Sequence, residues 1–250
     1  MNELTTEIKK LEIETLDNLK MSKAKNTIRA YKSDFNDFAL FCSKHNMKSL
    51  PSHPKTVSLY LTYLSKNSKF STLKRRLASI NVMHKYKGHY LDTKHPIIVE
   101  NILGIKRQIG VYQKAKKPLL FNELKQVIDQ IDQSKESDYK KLRNKSLILV
   151  GFSGGFRRSE LVAITKDDIE FVKEGVKIFV KKSKSDQSGE GMIKAIPSFK
   201  FVKYCPVDHL RNWMFENKNE LVFPISDKNV ALIIKKYALK AGLDEKKYAG

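Results

Sequence analysis

Two cationic residues stand in contexts that could hold a phosphate. Arg157 lies in Gly154-Gly155-Phe156-Arg157-Arg158-Ser159-Glu160-Leu161. Paired glycines permit a tight turn. A helix is predicted to start near Arg158 or Ser159, and N–H groups at a helix start favour an anion. A guanidinium there can give two parallel hydrogen bonds to non-bridging phosphate oxygens, a geometry lysine does not copy. Glu160, three residues on, shares the helical face and can hold Arg157 in place. Lys184 lies in Ser183-Lys184-Ser185-Asp186-Gln187, inside a polar stretch that reads as a β-hairpin connection. A hairpin can carry an ammonium to a leaving oxygen, to protonate it or to neutralise developing charge. Together these residues suit phosphoryl transfer without a metal. Taken singly, each also fits a plainer role: a helix–helix turn with exposed arginines, and a solvated loop lysine.

The charge balance names a class of partner. The 250 residues carry 48 Lys and Arg against 27 Asp and Glu, a formal charge of +21. Such an excess points to a polyanion, and phosphate backbones are the commonest. Anionic membrane surfaces compete as an explanation, but no basic amphipathic helix stands apart from a core. There is no apolar run of the roughly 18 residues that a membrane span requires. The N-terminal segment lacks the apolar stretch and cleavage site of a secretory signal. Cys42 and Cys205 are too few and too far apart for a disulfide framework or a zinc site. A cytoplasmic protein is expected.

The elements that must position these residues fall into two groups. A weak helical pattern covers 3–20. Ile28, Tyr31, Phe35, Phe38 and Cys42 then make one apolar helical face, with Lys25, Arg29, Lys32 and Lys44 off it. Val57, Tyr60, Leu61 and Leu64 mark another helix. Ser71 is the expected N-cap of the next, with Leu73, Leu77 and Ile80 inward and Lys74, Arg75 and Arg76 outward. His95-Pro96 opens one more, carrying Val99, Ile102, Leu103 and Ile105. From Gly104 to Lys117, Lys106, Arg107, Lys114, Lys116 and Lys117 occur without an acidic residue, as in a basic linker lying along a phosphate backbone or in an ordinary exposed one. Further on, 121–131, 140–152, 206–215 and 227–240 read as helices, and 176–180 and 192–196 as strands. The expected fold is mainly α with a small antiparallel sheet, divided into 1–112 and 113–250.

The second part resembles the catalytic domain of the tyrosine recombinases, the phage integrases and their Xer-type relatives. The likeness rests on the box at 153–161, the Ser-Lys-x-Asp-Gln hairpin at 183–187, and Cys205-Pro206-Val207 followed by Leu210, Arg211 and Trp213. The first part resembles that family's SAM-like helical core-binding domain, through Ser22, Asn26, Thr27 and Tyr31 and through Ser71-Thr72-Leu73 with Arg75-Arg76-Leu77. The resemblance implies a site-specific recombinase or integrase. In that reaction a tyrosine hydroxyl attacks a DNA phosphodiester, leaving a 3′-phosphotyrosine and a free 5′-hydroxyl, with no ATP, metal or other cofactor. It implies double-stranded DNA as the partner, no small-molecule substrate, and a tetramer on paired DNA sites. Both domains are expected to close around the duplex like a clamp. Arg157 corresponds to the family's first arginine, Lys184 to its hairpin lysine and Glu160 to the supporting acid. Lys25, Arg29, Lys74, Arg75, Arg76, Lys106, Arg107, Lys114, Lys116 and Lys117 are the expected DNA contacts.

The family continues into His-x-x-Arg and then the nucleophilic tyrosine. None of the 6 histidines here has arginine three positions later, and His209-Leu210-Arg211 comes closest. Tyr204, Tyr237 and Tyr248 precede the position of that box. The catalytic half therefore reads as C-terminally incomplete, and the chain is expected to bind DNA without cleaving it. The alternative is a non-catalytic DNA-binding relic or competitor of an intact recombinase. A metal-dependent nuclease would need clustered carboxylates, and Asp167-Asp168-Glu170 is the one cluster present.

Overall fold

The computed structural model describes residues 2–112, 115, 117–181 and 190–244, with the side chains of 2–5, 16–17, 19–21 and 25 left aside. The chain forms two compact units, Met1–Gln113 and Lys114–Gly250.

Unit 1 is helical. It comprises α1 (Asn2–Met21), α2 (Lys25–Lys44), α3 (Pro54–Ser65), α4 (Phe70–Tyr86) and α5 (Pro96–Ile109). The apolar spacing in α2 carries Phe38 and Cys42 into a core with Tyr60 and Leu61 of α3, Leu73 and Ile80 of α4, and Ile98 and Ile105 of α5. Full burial of each such side chain stabilises the fold by about 1.5–3 kcal/mol. One device starts two of the helices. His53 Nδ1 accepts the Lys55 N–H at 3.2 Å ahead of Pro54, and His95 Nδ1 accepts the Ile97 N–H at 3.2 Å ahead of Pro96. Proline at the first helical position has no N–H to leave unpaired.

Two boundaries differ from expectation. Helix α4 starts at Phe70 with Lys69 as its N-cap, because the Thr72 and Leu73 N–H groups bond the Lys69 carbonyl, so Ser71 lies inside the first turn. The linker starts at Gly110 rather than Gly104. Burial of Ile105 carries α5 onward, and Lys106 and Arg107 sit at its C-terminal end, where cations are favoured.

Unit 2 holds α6 (Phe121–Asp132), α7 (Asp138–Ser153), the single turn α8 (Arg158–Leu161), β1 (Ile169–Val172), β2 (Gly175–Val180), β3 (Met192–Pro197), α9 (Pro206–Glu216) and α10 (Asp227–Lys240). The strands form an antiparallel sheet in the order β1-β2-β3. Helix α7 lies between two clusters of apolar side chains. Leu147 and Val150 join the core built on Ile178, Trp213 and Phe223, while Ile148 and Leu149 join Leu124, Ile128 and Tyr237. A helix buried on two sides reads as a continuous apolar run rather than an amphipathic stripe. Trp213 Nε1 donates to the Val222 carbonyl at 2.6 Å, so its burial leaves no donor unpaired. The short strand β1 lacked a sequence signal. Two of its four side chains, Glu170 and Phe171, carry an alternation too brief to distinguish from the turn before it.

Candidate functional site

Helix α7 ends at Gly154, and the chain reverses through Gly155, whose φ of +56° is left-handed. A Cβ on Gly154 would lie 2.2 Å from the Phe156 ring, so glycine is favoured at both positions, at 154 by contact and at 155 by conformation. Arg157 follows as the N-cap of α8. The Glu160 carboxylate reaches back to it twice. Oε1 accepts from Arg157 Nη1 at 2.6 Å and Oε2 from the Arg157 backbone N–H at 3.0 Å. Helix α8 is one turn long, so what it supplies is this carboxylate and not a helix dipole for an anion.

The side chain of Glu160 is 2% exposed and that of Arg157 is 50% exposed. One edge of the guanidinium is anchored from within the protein while half of the side chain faces solvent. Burial alone would raise the pKa of Glu160. The Arg157 side chain and backbone N–H, with the nearby Lys194 ammonium, outweigh it and hold the carboxyl below its ordinary range. An ionised, desolvated carboxylate thus fixes the direction of a charged fork, as a phosphate-binding arginine requires.

Lys184 and the rest of the 182–189 hairpin lie outside the described residues. The stem of that hairpin is described, with Val180 opposite Met192 and Ile178 opposite Lys194. At its base Lys181 Nζ lies 2.9 Å from Asp168 Oδ1 and 3.1 Å from Thr165 Oγ1. Asp168 also accepts the Thr165 N–H at 2.8 Å. Glu170 instead lies across the sheet from Lys177 at 3.4 Å. The carboxylates of Asp168 and Glu170 therefore turn to separate partners.

The basic residues expected to meet DNA divide by environment. Arg29, Lys74, Lys106 and Arg107 are exposed. The Lys25 side chain and Lys114 and Lys116 lie outside the described residues. Arg75 pairs with Asp34, and Arg76 lies 3.2 Å from Asp34 and 3.1 Å from Asp37. Arg76 is half-buried where the helical pattern placed it outward, because Asp34 turns inward beneath it. Lys117 finds an acidic partner outside the linker, in Glu123 of α6 at 2.8 Å. Sequence reasoning missed Asp34 and Lys194. The first signal, an acidic residue on an apolar helix face, was present in the pattern. The second gave none.

Tyr204, Tyr237 and His209 of unit 2 lie in packed surroundings. Tyr237 is 0% exposed. The Tyr204 hydroxyl is 3.1 Å from Asp129 Oδ1, and burial and that bond both raise its pKa. His209 is desolvated, with Nε2 2.9 Å from the Lys203 carbonyl, while Arg211 projects the other way, over the Phe171 ring at 4.9 Å. Tyr248 lies outside the described residues.

Residues 117–249 match the model of the phage integrase family, and residues 14–89 match the phage integrase N-terminal SAM-like domain. The chain belongs to the phage integrase family, the tyrosine recombinases. This integrase-family chain is 36% identical over 258 aligned positions to an integrase/recombinase xerD homolog of Selenomonas ruminantium, covering 96% of this chain and 75% of that protein. It is 29% identical over 175 positions to tyrosine recombinase XerC of Staphylococcus aureus strain RF122, where it spans only 55% of the relative. Among solved structures, XerH site-specific recombinase bound to palindromic difH substrate, in a post-cleavage complex, shares the fold. The TM-score is 0.61 at 18% identity, covering 90% of this chain and 65% of that one. A lambda integrase tetramer bound to a Holliday junction gives 0.57 at 14% identity, with 93% and 63% covered. The helical units and the small antiparallel sheet are those expected of the family.

Proposed function

We propose that the chain binds double-stranded DNA through both of its units and cradles a phosphodiester at Arg157, as part of a site-specific recombinase that breaks and rejoins DNA. The observation that carries this is the Arg157–Glu160 pair, a half-exposed guanidinium locked by a buried carboxylate on a glycine turn. In the full reaction a tyrosine hydroxyl gives up its proton as its oxygen bonds to phosphorus, the bond from phosphorus to the 5′-oxygen breaks, and that oxygen takes a proton. Arg157 would hold the non-bridging oxygens, Lys184 would serve the departing oxygen, and Glu160 would keep Arg157 aimed. Arg29, Lys74, Lys106 and Arg107 would track the backbone, joined by Lys25, Lys114, Lys116 and Lys117. Arg75 and Arg76 would present a pair fixed by Asp34. Assembly as a tetramer on paired sites belongs to the same proposal.

Two described tyrosines of the catalytic half, Tyr204 and Tyr237, are poorly placed to attack. Tyr237 is enclosed and Tyr204 is bonded to Asp129. The chain is therefore proposed to bind without forming a covalent adduct. The test is fluorescence anisotropy on duplex DNA across a salt series, paired with a nicked substrate that traps cleaved intermediates. Affinity that falls steeply with salt, together with no adduct, supports the reading. Salt-independent affinity would remove DNA as the partner, and an adduct would reveal a nucleophile among these residues.

A further inference from the structure

Lys194 leaves β3 opposite Ile178 and turns its ammonium onto the glycine turn. Its Nζ donates to the Gly154 carbonyl at 2.9 Å and to the Gly155 carbonyl at 3.0 Å. It lies 3.7 Å from Glu160 Oε2 and 4.4 Å from the centre of the Phe156 ring. The side chain is only 19% exposed. One cation therefore touches each part of the turn that carries Arg157: both glycine carbonyls, the ring between glycine and arginine, and the carboxylate that grips the guanidinium.

Such contacts have physical force here. The Gly154 and Gly155 carbonyls sit at the C-terminal, electronegative end of α7, where an ammonium is favoured and where carbonyls lack helical partners. The turn's own backbone bonds run from the Gly155 N–H to the Phe152 carbonyl at 3.3 Å and from the Phe156 N–H to the Gly151 carbonyl at 3.1 Å, and Lys194 adds the bonds to the Gly154 and Gly155 carbonyls from another element. An ammonium spent on two carbonyls is not disposed to protonate a leaving oxygen, which separates Lys194 from Lys184 in role.

We propose that Lys194 is a positioning residue for Arg157: it pins the glycine turn and the Glu160 carboxylate to strand β3. This rests on the reading of Arg157 as a phosphate ligand. Its own test begins in the free protein and so is separable from that reading.

The experiment uses the full 250-residue chain with isotope-labelled arginine side chains, the Arg157 Nε–Hε signal being assigned with R157K. In the unsubstituted protein that signal has the heteronuclear NOE of an ordered group. In K194M, with an unchanged circular dichroism spectrum, it falls to the value of solvent-exposed Arg29, and K194R restores it. If K194M does not fold, K194Q is read in the same way, since its amide reaches at most one of the two carbonyls. On duplex DNA the loss of order is accompanied by a salt slope shallower by about one unit, as for loss of one phosphate contact. An Arg157 signal as ordered in folded K194M or K194Q as in the parent overturns the proposal. A parent signal that is ordered yet indifferent to added DNA refutes the phosphate reading and leaves the Lys194 result standing.

Discussion

Asp34 of α2 and Arg76 of α4 meet at 3.2 Å, with the Asp34 side chain only 4% exposed. Arg75 bonds the same carboxylate, and Ser79 Oγ donates to it at 2.8 Å. The pair ties together the two helices whose arginine-rich face is proposed to meet DNA. Removing one member of a buried pair leaves charge uncompensated. Asp34→Ala is therefore expected to lower the stability of unit 1 by about 3 kcal/mol, towards the smaller end of such losses because Arg75 keeps contact with water. Urea unfolding checks this, and a change below about 0.5 kcal/mol, ordinary for a surface substitution, would contradict it.

Glu160→Gln should act on unit 2 in two ways. The amide cannot balance Arg157 and Lys194, and one of its two faces becomes a donor where only donors approach. A loss of about 2 kcal/mol is expected from unmatched buried hydrogen bonds. The sign with pH follows from the depressed carboxyl pKa. The parent holds this stabilisation above the unfolded pKa near 4.5 and loses it as pH falls through the lower folded value. The difference between parent and Glu160→Gln should therefore shrink on acidification below pH 4.5. A difference that stays constant there would dissociate Glu160 from the ion pair.

The two glycines should separate conformation from contact. Gly155→Ala meets no atom within 4 Å but must adopt φ +56°, a cost of about 1–2 kcal/mol. Gly154→Ala places a methyl 2.2 Å from the Phe156 ring, which carries Lys194 above it. Weakened DNA binding out of proportion to lost stability is expected for Gly154→Ala and not for Gly155→Ala. Equal effects in anisotropy and in thermal unfolding would contradict this division.

Two enclosed histidines set the behaviour in mild acid. His84 is buried and neutral, its Nε2 accepting the Ser52 N–H at 2.9 Å and its Nδ1 facing the Ile80 carbonyl at 2.8 Å. Burial lowers its pKa, and burial lowers that of His209 as well. Below about pH 6.5 the unfolded chain binds protons that the folded chain refuses, so stability falls as pH drops from there towards the depressed folded values. The urea midpoint should be lower at about pH 5.5 than at about pH 7.5, and His84→Gln should flatten the change in unit 1. A midpoint that rises on acidification would reverse the assignment.

Much of this arrangement could be read in the residues. The spacing of Phe35, Phe38 and Cys42, and the His95-Pro96 pair before α5, set helices by local chemistry that needs no distant partner. Glu160 was placed with Arg157 because their separation is a helical one, and the pair is present. What escaped depends on tertiary contact. Strand β1 is too short to show a period, and it exists because β2 lies beside it. Ser71 resembled a cap, but the backbone of Lys69 took that role. Lys194 looked like an ordinary strand lysine, since the carbonyls it serves are about forty positions earlier and meet it only in the folded unit.

Arg157 is proposed to be a ligand for a DNA phosphate. The slope of log affinity against log salt, measured on duplex DNA for the parent and for Arg157→Ala, tests that most directly. The expected result is a folded variant that still binds, with a slope shallower by about 0.9, the share of one phosphate contact. A folded Arg157→Ala protein with the parent's slope and affinity would contradict it.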